Sequence, residues 1–408
     1  MNATVVTGVG VVAPNGLGLE SYWAATLRGE SGIKPITRFD PDAYPVRLAG
    51  EVRGFVVKDQ VPSRLIPQTD PMTRYAIAAA DWAMADSGLD RTGLSALDFG
   101  VITASSSGGF DFGQRELQNL WSKSSKYVSA YMSFAWFYAV NTGQIAIRHN
   151  LRGPTGVFVT EQAGGLDAVA HARRTVRKGT RFVLTGAIDS SLCPYGITAQ
   201  IASRRLSTCK DADRAYLPFH DDANGHVPGE GGAVLTVEDA EQARERGANI
   251  YGEIAGYGAT FDPSPASGRE PNLRRAIERA LVDAGLRPVD VGVVFADAAA
   301  MPELDLVEAT ALVDVFGPGG VPVTAPKTMT GRLYSGAAPL DLVTALMTLR
   351  EGVIPPTINV AAAAPHYDID LVIGEPRSLA GGAALVLARG FGGFNSAMVV
   401  RPASAVRS

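Results

Sequence analysis

One stretch of the sequence, Val157 to Asp167, constrains the fold of this chain most strongly. Its first three residues, Val157 to Val159, predict a short β-strand, and Ala163 to Lys178 predicts a helix. Glu161 and Gln162 lie on the tight turn between them. A strand that turns directly into a helix places one side chain at the helix N-terminus, where backbone N–H groups point outward. The stretch therefore predicts an elbow of the kind that presents a reactive side chain.

The side chain at this elbow is that of Gln162. Nucleophilic enzymes place Ser or Cys at such a position, because the outward N–H groups stabilise the oxyanion that develops during the reaction. A carboxamide has no basic lone pair on its nitrogen and is not a nucleophile at neutral pH. The next residues include Gly164 and Gly165, which would let another backbone approach closely. The chain thus has the local pattern of a nucleophile site without the nucleophile.

The order of predicted elements indicates an α/β protein. The chain has 408 residues, of which 46% are hydrophobic and 19% charged, enough for a large core. Strands and helices alternate throughout, which favours sheets covered by helices on both faces. A second series begins near Asn249, and each series opens with a strand that runs into a loop with Gly and Pro. We therefore predict two similar halves, residues 1–248 and 249–408.

Composition and charge exclude several classes of function. The formal net charge is −4 and there is no basic run, which argues against a nucleic-acid partner. No stretch of about 18 uninterrupted apolar residues predicts a membrane span, and the N-terminus lacks the features of a signal peptide. We predict a cytoplasmic protein that does not use a membrane or a cofactor.

The cysteines and histidines offer weak signals. Cys193 and Cys209 belong to no CxxC or Cys/His cluster, so no metal site is predicted. Cys209 could be a hidden nucleophile, but no His flanks it. His220 and His226, with five residues between them in a Gly-rich loop, could form a metal site or supply a base; a structural role is favoured over both.

A helix predicted over Phe110 to Lys123 allows two interpretations. Phe110, Gly113, Leu117 and Leu120 fall on one face, which is typical of a core stripe. A mid-helix Gly costs about 1 kcal/mol relative to Ala, so Gly113 suggests that something needs the space. The next predicted helix, 134–149, is dense in aromatic residues and suits a large interface or a deep core.

Several spaced motifs together resemble the β-ketoacyl synthases of the thiolase superfamily. The resemblance covers nearly the whole chain. It rests on the Gln162 elbow, the Lys327 segment and three glycine motifs: Gly8-x-Gly10, Gly229-Glu230-Gly231, and the loop Gly390 to Ser396 with Phe391. It implies a thiolase-like fold in which two similar halves pack as five layers, α-β-α-β-α, and it implies a dimer.

The resemblance also assigns the catalytic positions. An active ketosynthase has a Cys at the elbow, which takes the acyl chain, and two His that hydrogen-bond the thioester oxygen of the extender unit. The Cys position is Gln162 here, and the two His positions are Asp297 and Arg332. Glu308, Lys327 and Phe391 match the family framework. All three catalytic positions are changed, whereas the residues around them are kept.

This pattern resembles the chain length factors, or ketosynthase β subunits, of type II aromatic polyketide synthases. The resemblance implies a heterodimer with a catalytic ketosynthase α subunit. It also implies an acyl carrier protein that bears malonyl units and the growing polyketide. The β subunit would shape the tunnel in which the poly-β-ketone grows, with Phe110, Gly113 and Leu117 along it. These modest side chains predict a long tunnel, for about ten extension units or more.

Three hypotheses follow for the mechanism. The chain is a non-catalytic subunit that sets chain length by steric limits, or Gln162 assists decarboxylation of malonyl carrier protein, or the chain is an independent condensing enzyme with another nucleophile. The first is favoured. Decarboxylation forms an enolate, and each missing preorganised donor costs about 2.7–4 kcal/mol. Asp297 would add negative charge beside the enolate; we expect Asp297 to form an ion pair with Arg332 instead.

Overall fold

The computed structural model describes residues 3–403, so the outermost residues of the two predicted halves lie outside the described range. The strands alternate with helices along both halves, as predicted. The strands are β1 Thr4–Ala13, β2 Gly16–Leu17, β3 Ile33–Pro35, β4 Leu48–Gly50, β5 Phe99–Ala104, β6 Thr155–Phe158, β7 Phe182–Asp189, β8 Gly231–Asp239, β9 Gly252–Phe261, β10 Val291–Phe295, β11 Pro322–Thr324, β12 Val353–Ile354, β13 Asp370–Leu371, β14 Arg377–Ser378, β15 Ala383–Gly390 and β16 Phe394–Arg401.

The helices of the structure divide one helix of the sequence prediction. They are α1 Leu19–Leu27, α2 Val57–Gln60, α3 Pro71–Asp86, α4 Phe110–Ser122, α5 Met132–Ala135, α6 Val140–His149, α7 Gly164–Arg177, α8 Pro194–Ile201, α9 Ala240–Glu245, α10 Leu273–Ala284, α11 Pro302–Phe316 and α12 Ala337–Glu351. The prediction of one helix over 134–149 is wrong, because the chain turns between α5 and α6. The Trp136 carbonyl accepts a hydrogen bond from the Gly109 N–H (3.0 Å), and this contact from a distant loop replaces the helical pattern.

Two arrays of strands repeat the same topology. The first has the order β1-β8-β7-β5-β6, and the second has the order β9-β16-β15-β10-β11 with β13 added at its edge. In each array the first two pairings are antiparallel and the next two are parallel. The prediction of two similar halves is therefore confirmed, whereas their bounds, residues 1–248 and 249–408, stay a prediction. Val5 pairs with Glu253 and Val6 with Gly252, which joins the arrays edge to edge in one sheet.

The helices form three layers around the two arrays. Helices α3 and α6 pack on the outer face of the first array, and α10 and α11 cover the second. Helices α7 and α12 contact each other and strands of both arrays. The central core includes Leu166 and Val169 of α7 together with Leu342 and Leu346 of α12. This arrangement is the five-layer α-β-α-β-α order of the thiolase-like fold.

The Gly-x-Gly motif of β1 has a counterpart in β9. A Cβ at Gly10 would overlap the Ala79 carbonyl of α3, and a Cβ at Gly258 would overlap the Ala276 carbonyl of α10. In both halves the glycines therefore let the following helix lie directly on the first strand. This is a packing reason for the motif, since the absence of a side chain permits the close approach.

Gly165 is expected to be the most sensitive glycine of the elbow. A Cβ there would overlap the Ser335 carbonyl and Pro339 of α12, so we expect Gly165→Ala to lower the free energy of unfolding by about 1–3 kcal/mol. The matched control is Gly143→Ala in α6, where a Cβ meets nothing within 4 Å. That change should be neutral or stabilising by up to about 1 kcal/mol. Denaturant unfolding of both variants tests this, and equal effects would contradict it.

Candidate active site and family

The predicted elbow is present between β6 and α7. Glu161 adopts a left-handed backbone conformation with a φ of 52°. Its carbonyl accepts hydrogen bonds from the Ser335 hydroxyl at 2.9 Å and from the Gly164 N–H at 3.0 Å. The next residue, Gln162, has a relative exposure of 0%. The turn therefore fixes the elbow side chain inside the protein, between the strand and the mouth of the helix.

The carboxamide of Gln162 is bound to Asp297. Its Nε2 donates to Oδ1 of Asp297, 135 residues further along the chain. Asp297 follows the end of β10 by two residues. An ionised carboxylate only accepts hydrogen bonds, so the N–H side of the amide must face it. The Oε1 of Gln162 consequently has no hydrogen-bond partner among residues 3–403.

Asp297 and Arg332 form the predicted ion pair, which is confirmed. Nη2 of Arg332 lies 3.0 Å from both carboxylate oxygens of Asp297, and the side chains are 4% and 1% exposed. The Arg389 N–H donates to Asp297 Oδ1 at 2.8 Å. Burial alone raises the pKa of Asp297, but the Arg332 guanidinium and other nearby cations hold that pKa below its ordinary value. A satisfied charge pair thus fills the two positions that the resemblance aligns with the family histidines.

Glu308 and Lys327 hold the backbone that carries Asp297. The Glu308 carboxylate on α11 accepts from the N–H of Asp297 at 2.7 Å and from that of Ala298 at 2.9 Å. Lys327 donates to the Ala296 carbonyl and forms an ion pair with Asp341 at 2.8 Å. Burial, followed by the charge of Asp297, raises the pKa of Glu308. Glu308 on α11 and Lys327, which follows β11, therefore both hold the backbone of residues 296–298 in place.

A pocket of about 430 Å³ lies beside this cluster. Its lining includes Ser106, Phe110, Glu161, Arg205, Arg332 and Phe391. Gln162 does not line it, because its side chain is turned towards Asp297. A larger surface groove of about 1020 Å³ between α10 and α11 contains no predicted site residue. The smaller pocket is therefore the one that contacts a predicted catalytic position, that of Arg332.

The three predicted tunnel residues lie on α4 in different surroundings. Phe110 lines the pocket and packs against Tyr195, with ring centroids 5.0 Å apart. Gly113 is buried, and a Cβ there would lie 3.5 Å from Trp136 Cβ. Leu117 is half-buried and does not line the pocket of this chain. The core-stripe interpretation is wrong, because Phe112 rather than Phe110 or Leu117 points into the core. The tunnel interpretation stays a prediction.

Sequence reasoning missed two parts of the site. Glu161 lines the pocket, and its carboxylate accepts from the Phe391 N–H at 2.7 Å. Arg389 supplies an N–H to Asp297, and its carbonyl accepts from Arg332 at 2.9 Å. The position of Glu161 next to Gln162 was the available signal for the first. The Arg389 contacts use backbone atoms, so no side-chain motif could have indicated them.

His220, Cys193 and Cys209 do not line the pocket, whereas His226 does. His220 accepts from the Asp222 N–H at 3.0 Å within its own loop. Burial, together with the charges of Arg332 and Arg205, lowers the pKa of His226 well below its ordinary value. Burial raises the pKa of the Cys193 thiol to about 12. Across residues 3–403 there is no group of three metal-ligating side chains. Within the same range, no helix has the length and apolarity to span a membrane.

Comparison with known proteins supports one family. The chain matches the β-ketoacyl synthase N-terminal domain over residues 1–243 and the C-terminal domain over residues 251–361. It is 60% identical to the actinorhodin polyketide putative β-ketoacyl synthase 2 of Streptomyces coelicolor, over 98% of both chains. It is 59% identical to the tetracenomycin polyketide synthase ketoacyl synthase beta subunit of Streptomyces glaucescens, over 97% of this chain and 98% of that one.

Two solved structures share the fold over nearly the full length. The ishigamide ketosynthase/chain length factor superposes with a TM-score of 0.87 at 27% identity, over 98% of this chain and 99% of that one. A type II polyketide synthase acyl-carrier protein in complex with its ketosynthase bound to the hexaketide gives a TM-score of 0.88 at 26% identity, with the same coverage. The chain therefore belongs to the β-ketoacyl synthase family and, within it, to the ketosynthase β subunits, or chain length factors, of type II polyketide synthases.

Proposed function

We propose that this chain is a non-catalytic subunit that pairs with a catalytic ketosynthase α subunit and sets the length of a poly-β-ketone. One observation carries the proposal: Gln162, Asp297 and Arg332, at the former catalytic positions, bind one another in a buried network. Such a network contains no nucleophile. The Gln162 amide and the Arg332 guanidinium are both turned to Asp297, which engages them in this network.

An exposed aromatic patch supports the heterodimer. We define the patch as Trp121, Tyr127, Tyr131, Trp136, Phe137 and Tyr138, with relative exposures between 37% and 77%. Three of its rings, those of Trp136, Phe137 and Tyr138, contact one another in sequence, and exposed apolar surface of this kind marks interaction sites. In addition, β6 is the outer strand of the first array and leaves backbone groups of its edge unpaired within the sheet. Because a ketosynthase/chain length factor structure shares this fold, we propose that a ketosynthase subunit covers the aromatic patch.

The acyl carrier protein is the second proposed partner. In one of the similar structures, an acyl-carrier protein is in complex with its ketosynthase. A carrier that bears malonyl units and the polyketide would serve the catalytic subunit, while the tunnel between the subunits holds the chain. The β subunit then acts by sterics, since a chain that fills the tunnel cannot accept another unit. A cytoplasmic location remains a prediction from the sequence.

The alternative is that Gln162 assists decarboxylation of malonyl carrier protein and so primes the synthase. An enolate needs positive charge or donors around its oxygen. Here Gln162 Nε2 is bound to the Asp297 carboxylate, and Arg332 at the pocket wall is already paired with the same carboxylate. An enolate held by Gln162 would therefore lie beside the Asp297 carboxylate, which disfavours it. An independent condensing enzyme with another nucleophile is disfavoured for Cys193 by the raised pKa of its buried thiol.

The test is turnover of malonyl carrier protein by the purified chain alone and then with a catalytic ketosynthase α. We expect no decarboxylation by the chain alone and full-length polyketide from the heterodimer. Gln162→Ala should leave priming unchanged, as should the control Gln118→Ala on the exposed face of α4. Decarboxylation by the chain alone that Gln162→Ala abolishes would establish the alternative and overturn the proposal. Size-exclusion chromatography should confirm that every variant forms the heterodimer.

A further inference from the structure

The helix α4, which bears the three predicted tunnel residues, begins without a side-chain cap of its own. Its N-cap residue is Gly109, which has no side chain to bind the N–H groups of the first turn. Buried N–H groups need acceptors from elsewhere in such a case. The Phe112 N–H finds one on Asp70, whose Oδ2 accepts from it at 2.9 Å. The start of α4 is therefore capped by a side chain 42 residues away in the chain.

Asp70 binds the starts of two helices at once. It is the N-cap residue of α3, and its Oδ1 accepts from the Met72 N–H of that helix at 2.9 Å. A serine or an asparagine would be sufficient to cap α3 alone, because such a cap needs only one acceptor oxygen. A carboxylate accepts on both oxygens, and its negative charge suits the N-termini of two helices. The aspartate therefore has the chemistry of a residue that joins α3 to α4.

The start of α4 is packed tightly around this carboxyl group. Asp70 has a relative exposure of 0%. A Cβ on Gly109 would lie 2.9 Å from the Asp70 Cβ and would overlap the Ala135 carbonyl of α5. Burial raises the pKa of Asp70 to about 7, and the N–H groups of Phe112 and Met72 oppose that increase. Because a buried carboxyl group depends on such hydrogen bonds, the loss of either one should disturb this contact.

From this geometry we infer that Asp70 is a positioning residue for chain length, because it fixes the first turn of α4 and thereby the places of Phe110 and Gly113. Phe110 lies two residues before the N–H that Asp70 binds, and it lines the pocket. Gly113 is the next residue after Phe112. Asp70 does not line this pocket, so it acts on the polyketide through α4. The inference rests on the proposed function and adds to it a residue behind the predicted tunnel wall.

The test is the product length from heterodimers that carry Asp70→Ser or Asp70→Asn. Both side chains keep an oxygen that can cap α3, but serine is too short to reach both helices, and the amide nitrogen of asparagine accepts no hydrogen bond. We expect the ratio of altered to normal chain lengths to rise about fivefold, the factor that corresponds to the loss of one hydrogen bond. Hydrogen exchange of the Phe112 amide should become faster as well. Mass spectrometry measures both quantities.

The matched controls are Asp239→Ser and Asp239→Asn. Asp239 is also buried, and its Oδ1 also accepts from two N–H groups, at 2.9 and 3.3 Å, but both belong to the helix α9 that it caps. These variants should change neither the product nor the exchange of the Phe112 amide. An unchanged product from both Asp70 variants overturns the inference, and so does an equal change in the controls. Failure of both Asp70 variants to form the heterodimer also overturns it, because the carboxylate would then serve folding.

The Leu117→Trp variant separates this inference from the proposed function. If Leu117→Trp shortens the polyketide while both Asp70 variants leave it unchanged, the inference about Asp70 fails and the proposed function stands. If all three variants leave the chain length unchanged in an intact heterodimer, the proposed control of chain length through α4 fails as well. A changed product from the Asp70 variants, together with faster exchange at Phe112 and inert controls, supports the inference.

Discussion

Replacing Arg332 by methionine is expected to lower the free energy of unfolding by about 3–5 kcal/mol. The reason is that Asp297, only 1% exposed, would keep a buried negative charge after its cationic partner is removed. The N–H of Arg389 and the amide of Gln162 would remain, but hydrogen bonds alone do not neutralise the charge. Denaturant unfolding of the chain and of the Arg332→Met variant measures the difference.

An exposed pair of the same length provides the control. Arg287 and Asp290 also lie 3.0 Å apart, but the Arg287 side chain is 77% exposed, so Arg287→Met should lower the stability much less than Arg332→Met does. If the two variants lose equal stability, the argument from burial fails. The double variant Asp297→Ala with Arg332→Met should recover part of the loss, since neither charge is then left unpaired.

The same pair predicts how the difference depends on pH. Arg332 holds the folded-state pKa of Asp297 below its ordinary value of 3.8. A carboxyl group with a lowered pKa contributes stability above its unfolded-state pKa, and this contribution disappears as the pH falls through the lowered folded value. The stability gap between wild type and Arg332→Met should therefore narrow as the pH falls below 3.8.

Replacing Leu117 by tryptophan is expected to shorten the polyketide made by the heterodimer by about one two-carbon unit or more. Leu117 is half-buried on α4, the helix that we propose lines the tunnel, and a larger ring there would reduce its depth. Gly113→Phe should act in the same direction. Its ring must displace Trp136, because Gly113 has only 3.5 Å between a Cβ and Trp136 Cβ. Mass spectrometry of the products measures the chain length.

A substitution at the neighbouring residue tests whether a larger side chain that faces solvent, away from the tunnel, also changes the product. Gln118, the next residue of α4, is exposed, so Gln118→Trp adds the same ring on the solvent side and should leave the product unchanged. A product of wild-type length from Leu117→Trp in an intact heterodimer would refute the assignment of Leu117 to the tunnel. Shortening by both tryptophan variants would point to an effect on subunit assembly instead of tunnel depth.

Local sequence patterns predicted the elements whose hydrogen bonds join residues close to each other in the chain. An Asp followed by a Pro is a typical helix start, and the Asp70 side chain caps α3 by accepting from the Met72 N–H at 2.9 Å. The same pattern could not reveal that the second oxygen of Asp70 accepts from the Phe112 N–H of α4 at 2.9 Å. That contact spans 42 residues, and only the folded chain brings its two ends together.

The sequence by itself determined which side chains stand at the elbow and at the two positions that the resemblance aligns with the family histidines, because the identity of a side chain does not depend on the fold. Gln162, Asp297 and Arg332 at those positions were sufficient to predict an inactive site, and their place in the family pattern predicted the ion pair. The tertiary structure decided which distant groups surround the elbow. Phe391 lies 230 residues from Glu161 in the chain, and its N–H meets the Glu161 carboxylate only because the β15–β16 turn packs against the elbow. Backbone donors leave no trace in a sequence motif, since every residue except proline carries one.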